Sequence, residues 1–132
     1  LDSLKFVGMS INSATISILG ISYKPNVKHS QTSPAIKIIE KLKQLKAKVR
    51  IYDPYFENEK FLSVKTEKNI FDAVKNSDAI IIVTAHDEFL ELEISTLASQ
   101  MRTPILLDTR GIVNGKKAER AGWIYKGLGY AE

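Results

Sequence analysis

A chain of 132 residues is long enough for one domain with a core of its own. Its hydrophobic (44%) and charged (26%) fractions are those of a globular chain, which excludes disordered and collagen-like classes. No apolar run approaches the ~20 residues that span a bilayer, and no signal-peptide pattern opens the chain, so the reading is of a soluble, cytoplasmic protein. Cysteine is absent, which removes disulfides, thiolate metal ligands and a cysteine nucleophile from this chain. The net charge of +4 suits a phosphate-bearing ligand. Lys37, Lys41, Lys43 and Lys46 read more simply as solvated helix-face lysines, and without interleaved aromatics they do not make a nucleic-acid surface. The chain opens on Leu1 rather than Met, which reads as processing or as a piece of a longer protein. Residues 1–13 are then the tail of a preceding segment or helix, and residues 14–132 a single domain.

Residues 14–20 form a short apolar run closed by Gly20, the pattern of a strand buried in a parallel sheet. Residues 21–32 are polar, contain Pro25 and lack a helical period, which predicts a loop. Ser33-Pro34 opens a helix, with Ser at the N-cap and Pro at the first helical position. Ala35, Ile38, Ile39, Leu42 and Leu45 recur at helical spacing and give it one apolar face. Residues 48–52 predict a second strand, stopped by Asp53-Pro54; such strand–helix–strand units are nearly always right-handed and parallel. Residues 62–65 read as a short strand, and residues 69–75 as a helix packing through Ile70, Phe71 and Val74. Residues 79–83 are apolar on both faces and belong at the centre of a sheet. Residues 87–100 read as helical or broken-helical, burying Phe89, Leu90, Ile94, Leu97 and Met101. A strand over 104–108, a short helix over 116–121 and a last strand over 123–125 complete the chain. This alternation predicts a three-layer α/β/α sandwich around a doubly wound, mainly parallel, Rossmann-like sheet.

In open parallel sheets ligands bind beyond the carboxyl ends of the strands, near the switch point. That nominates the loop after Gly20, the Asp53-Pro54 corner and Thr109-Arg110-Gly111. The loop over residues 20–33 is long for a βα connection, where about two to six residues are typical. It offers Tyr23 for stacking or hydrogen bonding, Lys24 and Lys28 as cations, and a helix N-terminus at Ser33 whose N–H groups favour an anion. Gly20 stands alone, so neither the phosphate-cradling loop nor the dinucleotide fingerprint Gly-x-Gly-x-x-Gly is present. An anion site here competes with the plainer reading of solvated lysines. Arg110 presents a planar fork for phosphate or carboxylate, or else pairs with Asp108 or Asp53. Asp53 could accept a ribose hydroxyl, but capping the strand corner suits it better. Asp87 reads as a helix cap rather than a partner of its neighbour His86. His29 and His86 suggest no metal pair, and Trp123, Tyr125 and Tyr130 read as core and edge packing.

Taken together, Ile18-Leu-Gly-Ile-Ser-Tyr-Lys-Pro-Asn26, Ser33-Pro-Ala35, Tyr52-Asp-Pro54, Thr84-Ala-His-Asp-Glu-Phe89 and Leu107-Asp-Thr-Arg-Gly111 resemble the C-terminal domain of the UDP-glucose/GDP-mannose dehydrogenases. The Tyr-Lys-Pro-Asn form is most similar to the UDP-N-acetyl-D-mannosamine dehydrogenase type, and the match runs from about Thr15 to Gly129. The resemblance implies an enzyme in three parts: an N-terminal NAD-binding domain, a central helical dimerisation domain with a catalytic cysteine, and this domain over the nucleotide sugar. Such enzymes oxidise the sugar C6 alcohol to a carboxylate in two NAD-dependent steps through a thiohemiacetal. This chain alone is then expected to be inactive and to hold no catalytic residue. Its implied partners are a UDP-sugar, the other two domains and a second copy in a homodimer, with no nucleic acid and no membrane. By the same likeness Tyr23, Lys24 and Arg110 contact the substrate. Gln31 stands where the family has an arginine that approaches NAD, within a stretch, residues 28–32, that departs from the family pattern. A neutral amide does not replace a charged fork at a phosphate. The alternative is a free-standing, non-catalytic nucleotide or nucleotide-sugar binding module.

Overall fold

The computed structural model describes residues 10–22, 24–26, 28 and 33–127. A 3₁₀ turn, Ile11–Ser13, leads into β1 (Thr15–Leu19). The 11-residue helix α1 (Pro34–Gln44) returns the chain to β2 (Lys48–Tyr52). A two-stranded hairpin follows, β3 (Lys60–Phe61) with β4 (Val64–Lys65), then α2 (Ile70–Val74) and β5 (Ala79–Ile82). Two short helices, α3 (Asp87–Leu90) and α4 (Ile94–Gln100), precede β6 (Ile105–Asp108). Helix α5 (Gly115–Arg120) and β7 (Ile124–Gly127) end the described fold.

The main sheet has the order β2-β1-β5-β6-β7, and every pairing in it is parallel. From β1 the chain steps outward to β2, then crosses back to β5 and continues to β7. The direction therefore reverses between β1 and β5, which makes their exits the switch point. β5 is the middle strand and all four of its residues are buried, as its two-sided apolar run predicts.

Side chains alternate across the strands, so each strand feeds two cores. Ile16, Ile18, Ile51 and Ile81 face α1 through Ala35, Ile39 and Leu42. Leu19, Ile80, Ile82 and Leu106 face the other layer, with Val74, Phe89, Leu97 and Trp123. Trp123 is buried and its Nε1–H donates to the Ile94 carbonyl at 2.8 Å, so it is core, as expected. Three layers result.

Several local expectations are corrected. Leu62 and Ser63 are not strand residues: with φ of 51° and 71° they form the tight turn of the β3–β4 hairpin. The right-handed twist of the two strands demands that backbone, whatever the side chains. Phe71 and Leu90, expected in the core, are 51% and 55% exposed. A five-residue helix buries only one face, and α2 uses Ala73 and Val74 for it. The α3 helix has a single turn, which Phe89 claims.

The amino-terminal pole of the sheet is fixed by Asp78. Its carboxylate accepts from Thr15 N–H (2.9 Å), Thr103 Oγ1 (2.8 Å) and two guanidinium donors of Arg102. Burial pushes this carboxyl up, but the Arg102 bonds and the Thr15 N–H outweigh burial and hold it below the ordinary range. Among the described residues no helix is long and apolar enough to cross a membrane.

Candidate functional site

The exits of β1 and β5 touch. Gly20 has φ +102°, and a Cβ built there would lie 2.6 Å from Thr84 Cβ and 2.7 Å from Thr84 N. Only glycine gives both that backbone and that approach. Two residues on, the Ser22 carbonyl accepts from Thr84 Oγ1 at 2.7 Å.

Asp53, at the end of β2, fastens the same exit from the other side. Its Oδ2 accepts from Ile21 N–H (2.7 Å), Ser22 N–H (3.0 Å) and His86 Nε2 (2.9 Å), while Oδ1 accepts from Tyr55 N–H (2.8 Å). Asp53 is 1% exposed and His86 is fully buried. Burial raises the Asp53 carboxyl, yet the His86 bond and the three backbone N–H groups overcome it and keep the group ionised to lower pH than usual. Corner capping is therefore the role of Asp53, as expected, and it has no face open to a ribose.

His86 joins this corner to the loop. Its Nδ1 accepts from the backbone N–H of Asn26 at 2.8 Å. A backbone amide only donates, so Nδ1 is unprotonated and the proton sits on Nε2, directed at Asp53. The ring lies between Tyr55 and Phe89, with centroid distances of 4.8 and 5.6 Å. Asn26 completes the grip: its Oδ1 accepts from Asp87 N–H at 2.9 Å. Asp87 is thus the first residue of α3 rather than its cap; His86 holds the N-cap position and Asn26 lends the capping oxygen. Beside it Tyr52 donates to Glu88 at 2.5 Å, and burial, then Glu88, pushes that phenol up.

The candidate cations divide. Lys24 is exposed, two residues before Asn26 in the same turn. Lys28 turns to the hairpin, pairing with Glu59 at 2.9 Å with its ammonium 5.5 Å from the centre of the Phe56 ring. Arg110 is exposed, and its Nε–H donates to the Val83 carbonyl at 2.8 Å. Asp108 shapes that turn by accepting from the backbone N–H groups of Arg110, Gly111 and Val113. The four residues 83–86 therefore hold the Arg110 turn at one end and the Lys24–Asn26 turn at the other. Tyr23 and Gln31, like His29 and Tyr130, lie outside the described residues.

The helix end is not the anion site that its position suggests. Ser33 Oγ accepts from Ala35 N–H at 3.1 Å, the Ser33 carbonyl accepts from Ile36 N–H, and Pro34 has no N–H. An open cleft of about 250 Å³ lies beside the loop, lined by Asn26, Pro54, Tyr55, His86, Asp87 and Glu88. A wider hollow of about 660 Å³, lined by residues from Glu57 to Asp72, borders none of the candidate residues. Among the described residues no group of three or more His, Asp or Glu side chains could hold a metal ion.

Asn26 and His86 are the residues that sequence reasoning passed over as a pair. They lie 60 positions apart and His86 lies 33 from Asp53. The available signal was that both sit in the blocks Tyr-Lys-Pro-Asn and Thr-Ala-His-Asp, on loops that a parallel sheet delivers to one edge.

Residues 17–115 match the model of the UDP binding domain of the UDP-glucose/GDP-mannose dehydrogenase family. The chain belongs to that family. It is 33% identical over 132 residues to UDP-glucose 6-dehydrogenase TuaD of Bacillus subtilis, covering 97% of this chain and 29% of that one. It is 30% identical over 128 residues to UDP-N-acetyl-D-mannosamine dehydrogenase of Pyrococcus horikoshii, covering 97% and 28%. The solved structure of the UDP-D-ManNAc dehydrogenase from that organism superposes with a TM-score of 0.84 at 30% identity, over 97% of this chain and 28% of that one. A hypothetical protein of Pyrococcus horikoshii, at 17% identity and TM-score 0.69, shares the fold over 97% of this chain and 85% of its own length. Relatives of the glucose and mannosamine types appear at like identity, so identity does not separate the branches. The chain spans under a third of the curated relatives it matches.

Among the described residues the β1–α1 connection does not form a dinucleotide-binding turn. Gly20 is the one glycine between β1 and α1, its Cβ position is filled by Thr84, and the first-turn N–H groups of Ala35 and Ile36 are consumed by Ser33.

Proposed function

We propose that this chain is the C-terminal UDP-sugar-binding domain of an NAD-dependent nucleotide-sugar 6-dehydrogenase acting in the cytoplasm. Residues 1–13 are the end of a preceding segment and residues 14–132 the domain. The observation that supports this best is the pairing of two cation-bearing turns on residues 83–86, Arg110 through Val83 and Lys24 through the Asn26–His86 bond. An arginine fork and an ammonium on turns fixed to rigid strand ends suit a diphosphate. Tyr23, next to Lys24, contacts the base or the sugar.

Conversion of the C6 alcohol to a carboxylate removes two hydride equivalents, and NAD supplies that chemistry when bound. This chain has no cysteine for the covalent step and no dinucleotide loop, so both belong to the other domains, through which the enzyme forms a homodimer. What the present residues do is bind the diphosphate and orient the sugar. Gln31, at the family's arginine position, would meet NAD with a neutral amide in place of a charged fork.

Lys24→Ala and Arg110→Ala test the site. Each removes a charge-assisted contact, and UDP affinity falls by about 10–100-fold in calorimetric titration. Thermal stability stays nearly unchanged for exposed Lys24 and drops by about 1 kcal/mol for Arg110, which loses its bond to Val83. Wild-type affinity in both variants sinks the assignment. A second reading, a binding module without catalysis, is favoured by Gln31 and by the same fold in a short chain. Reduction of NAD by the full-length protein with a UDP-sugar would exclude it; binding without turnover would establish it.

A further inference from the structure

The turn that carries Lys24 is held at Asn26, in a left-handed backbone (φ 59°). Asparagine tolerates that conformation but does not by itself enforce it. Two bonds enforce it, both from the dipeptide His86-Asp87: Asn26 N–H to His86 Nδ1 and Asp87 N–H to Asn26 Oδ1. His86 in turn is fixed by Asp53, whose carboxylate, among the described residues, also accepts from the backbone of residues 21, 22 and 55 and from the Ser22 hydroxyl. The imidazole donates on one side and accepts on the other. In the Nε2–H form it matches a carboxylate on one side and an amide donor on the other. With a second proton, Nδ1 and the Asn26 N–H would be two donors facing each other.

We propose that His86 is a positioning residue for ligand binding: as a neutral Nε2–H imidazole it transfers the fixed Asp53 corner to the Lys24–Asn26 turn, and so sets the affinity for a diphosphate-bearing nucleotide. This rests on the reading that Lys24 contacts that ligand. His86 itself is fully buried. Tyr55 and Phe89 pack on its two sides, and the acids of the neighbouring α3 turn, Asp87 and Glu88, line the adjoining cleft.

UDP is the probe, titrated calorimetrically into wild type, His86→Phe, His86→Gln, Lys24→Ala and the double variant, with hydrogen exchange followed over the segment containing Asn26. His86→Phe keeps the ring packing and loses both bonds; UDP affinity falls about five- to tenfold and exchange at Asn26 accelerates. His86→Gln, whose amide offers one donor and one acceptor, recovers part of both losses. In the Lys24→Ala background His86→Phe costs less than about twofold, because the group it positions is gone. A role in stability alone would not produce that coupling. If His86→Phe fails to fold, Asn26→Gly replaces it: it keeps the left-handed backbone, loses the Asp87 bond, and weakens UDP about two- to fivefold. Unchanged UDP affinity in His86→Phe or Asn26→Gly, or additive losses in the double variant, overturns the inference while the site stands. If Lys24→Ala binds UDP as wild type does, the site reading itself fails, and this inference with it.

Discussion

Replacing Asp53 by asparagine changes one oxygen to an NH₂ in a place where every neighbour is a donor. Oδ2 receives Ile21 N–H, Ser22 N–H, His86 Nε2–H and the Ser22 hydroxyl at 2.7–3.3 Å, and Oδ1 receives Tyr55 N–H at 2.8 Å. The amide will place its oxygen at the Oδ2 position, because the reverse sets NH₂ against these donors. Tyr55 N–H then faces a donor and goes unpaired, at about 1–3 kcal/mol. The remaining bonds lose their charge assistance, offset in part by no longer burying a charge. The net loss is about 2–4 kcal/mol, or about 6–20 °C in Tm at roughly 3–5 °C per kcal/mol for this size. Thermal unfolding followed by circular dichroism at neutral pH measures it. The pH profile adds a second readout. Asp53 and Asp78 both lie below the ordinary value of 3.8 in the folded state, so the unfolded chain takes up their protons first as acid is added. Their stabilisation is complete above that value and is lost as pH falls through the folded values. Wild-type Tm should therefore drop on acidification below about pH 5, and Asp53→Asn should drop less, keeping only the Asp78 share. A variant within about 2 °C of wild type, or with the same acid slope, would refute this account of the corner.

Gly20→Ala combines a left-handed backbone with a Cβ 2.6 Å from Thr84. It should lose about 3 kcal/mol or more by chemical denaturation, and an unchanged midpoint would disprove the close approach of the β1 and β5 exits. Ser33→Ala removes the α1 cap to Ala35 N–H and should cost about 1 kcal/mol, read from the same denaturation curves. Phe71→Ser and Leu90→Ser, at positions about half exposed, should each stay within about 0.5 kcal/mol of wild type; a large loss would return both residues to the core.

The sheet was legible because parallel strands buried on both faces leave uninterrupted apolar runs, as residues 79–83 do. The α1 start was legible because Ser33-Pro34 acts locally, through bonds spanning two or three residues. Short elements were not: α2 and α3 are too brief for periodicity to choose a face, which is why Phe71 and Leu90 were misplaced. The Leu62-Ser63 turn has none of the Gly or Asn that usually announces such a backbone. At the site, Lys24 and Arg110 stood out through their types and strand-end positions. The Asp53–His86–Asn26 relay did not, because each link joins residues far apart in sequence, and only the strand order brings them to one edge. His86 was given no role and Asp87 that of a helix cap, and both bond to Asn26 instead.

The position of β1 between β2 and β5 bears on how the chain is made. During synthesis β1, α1 and β2 emerge before the second partner of β1, which begins only at Ala79. Until then β1 presents an open ladder edge where β5 will pair. Parallel pairing of this kind forms slowly, and an uncovered edge is a template for another chain. Nascent chains stalled before β5 are thus the stage at which aggregation competes with folding, and the middle strand, arriving late, ends that exposure.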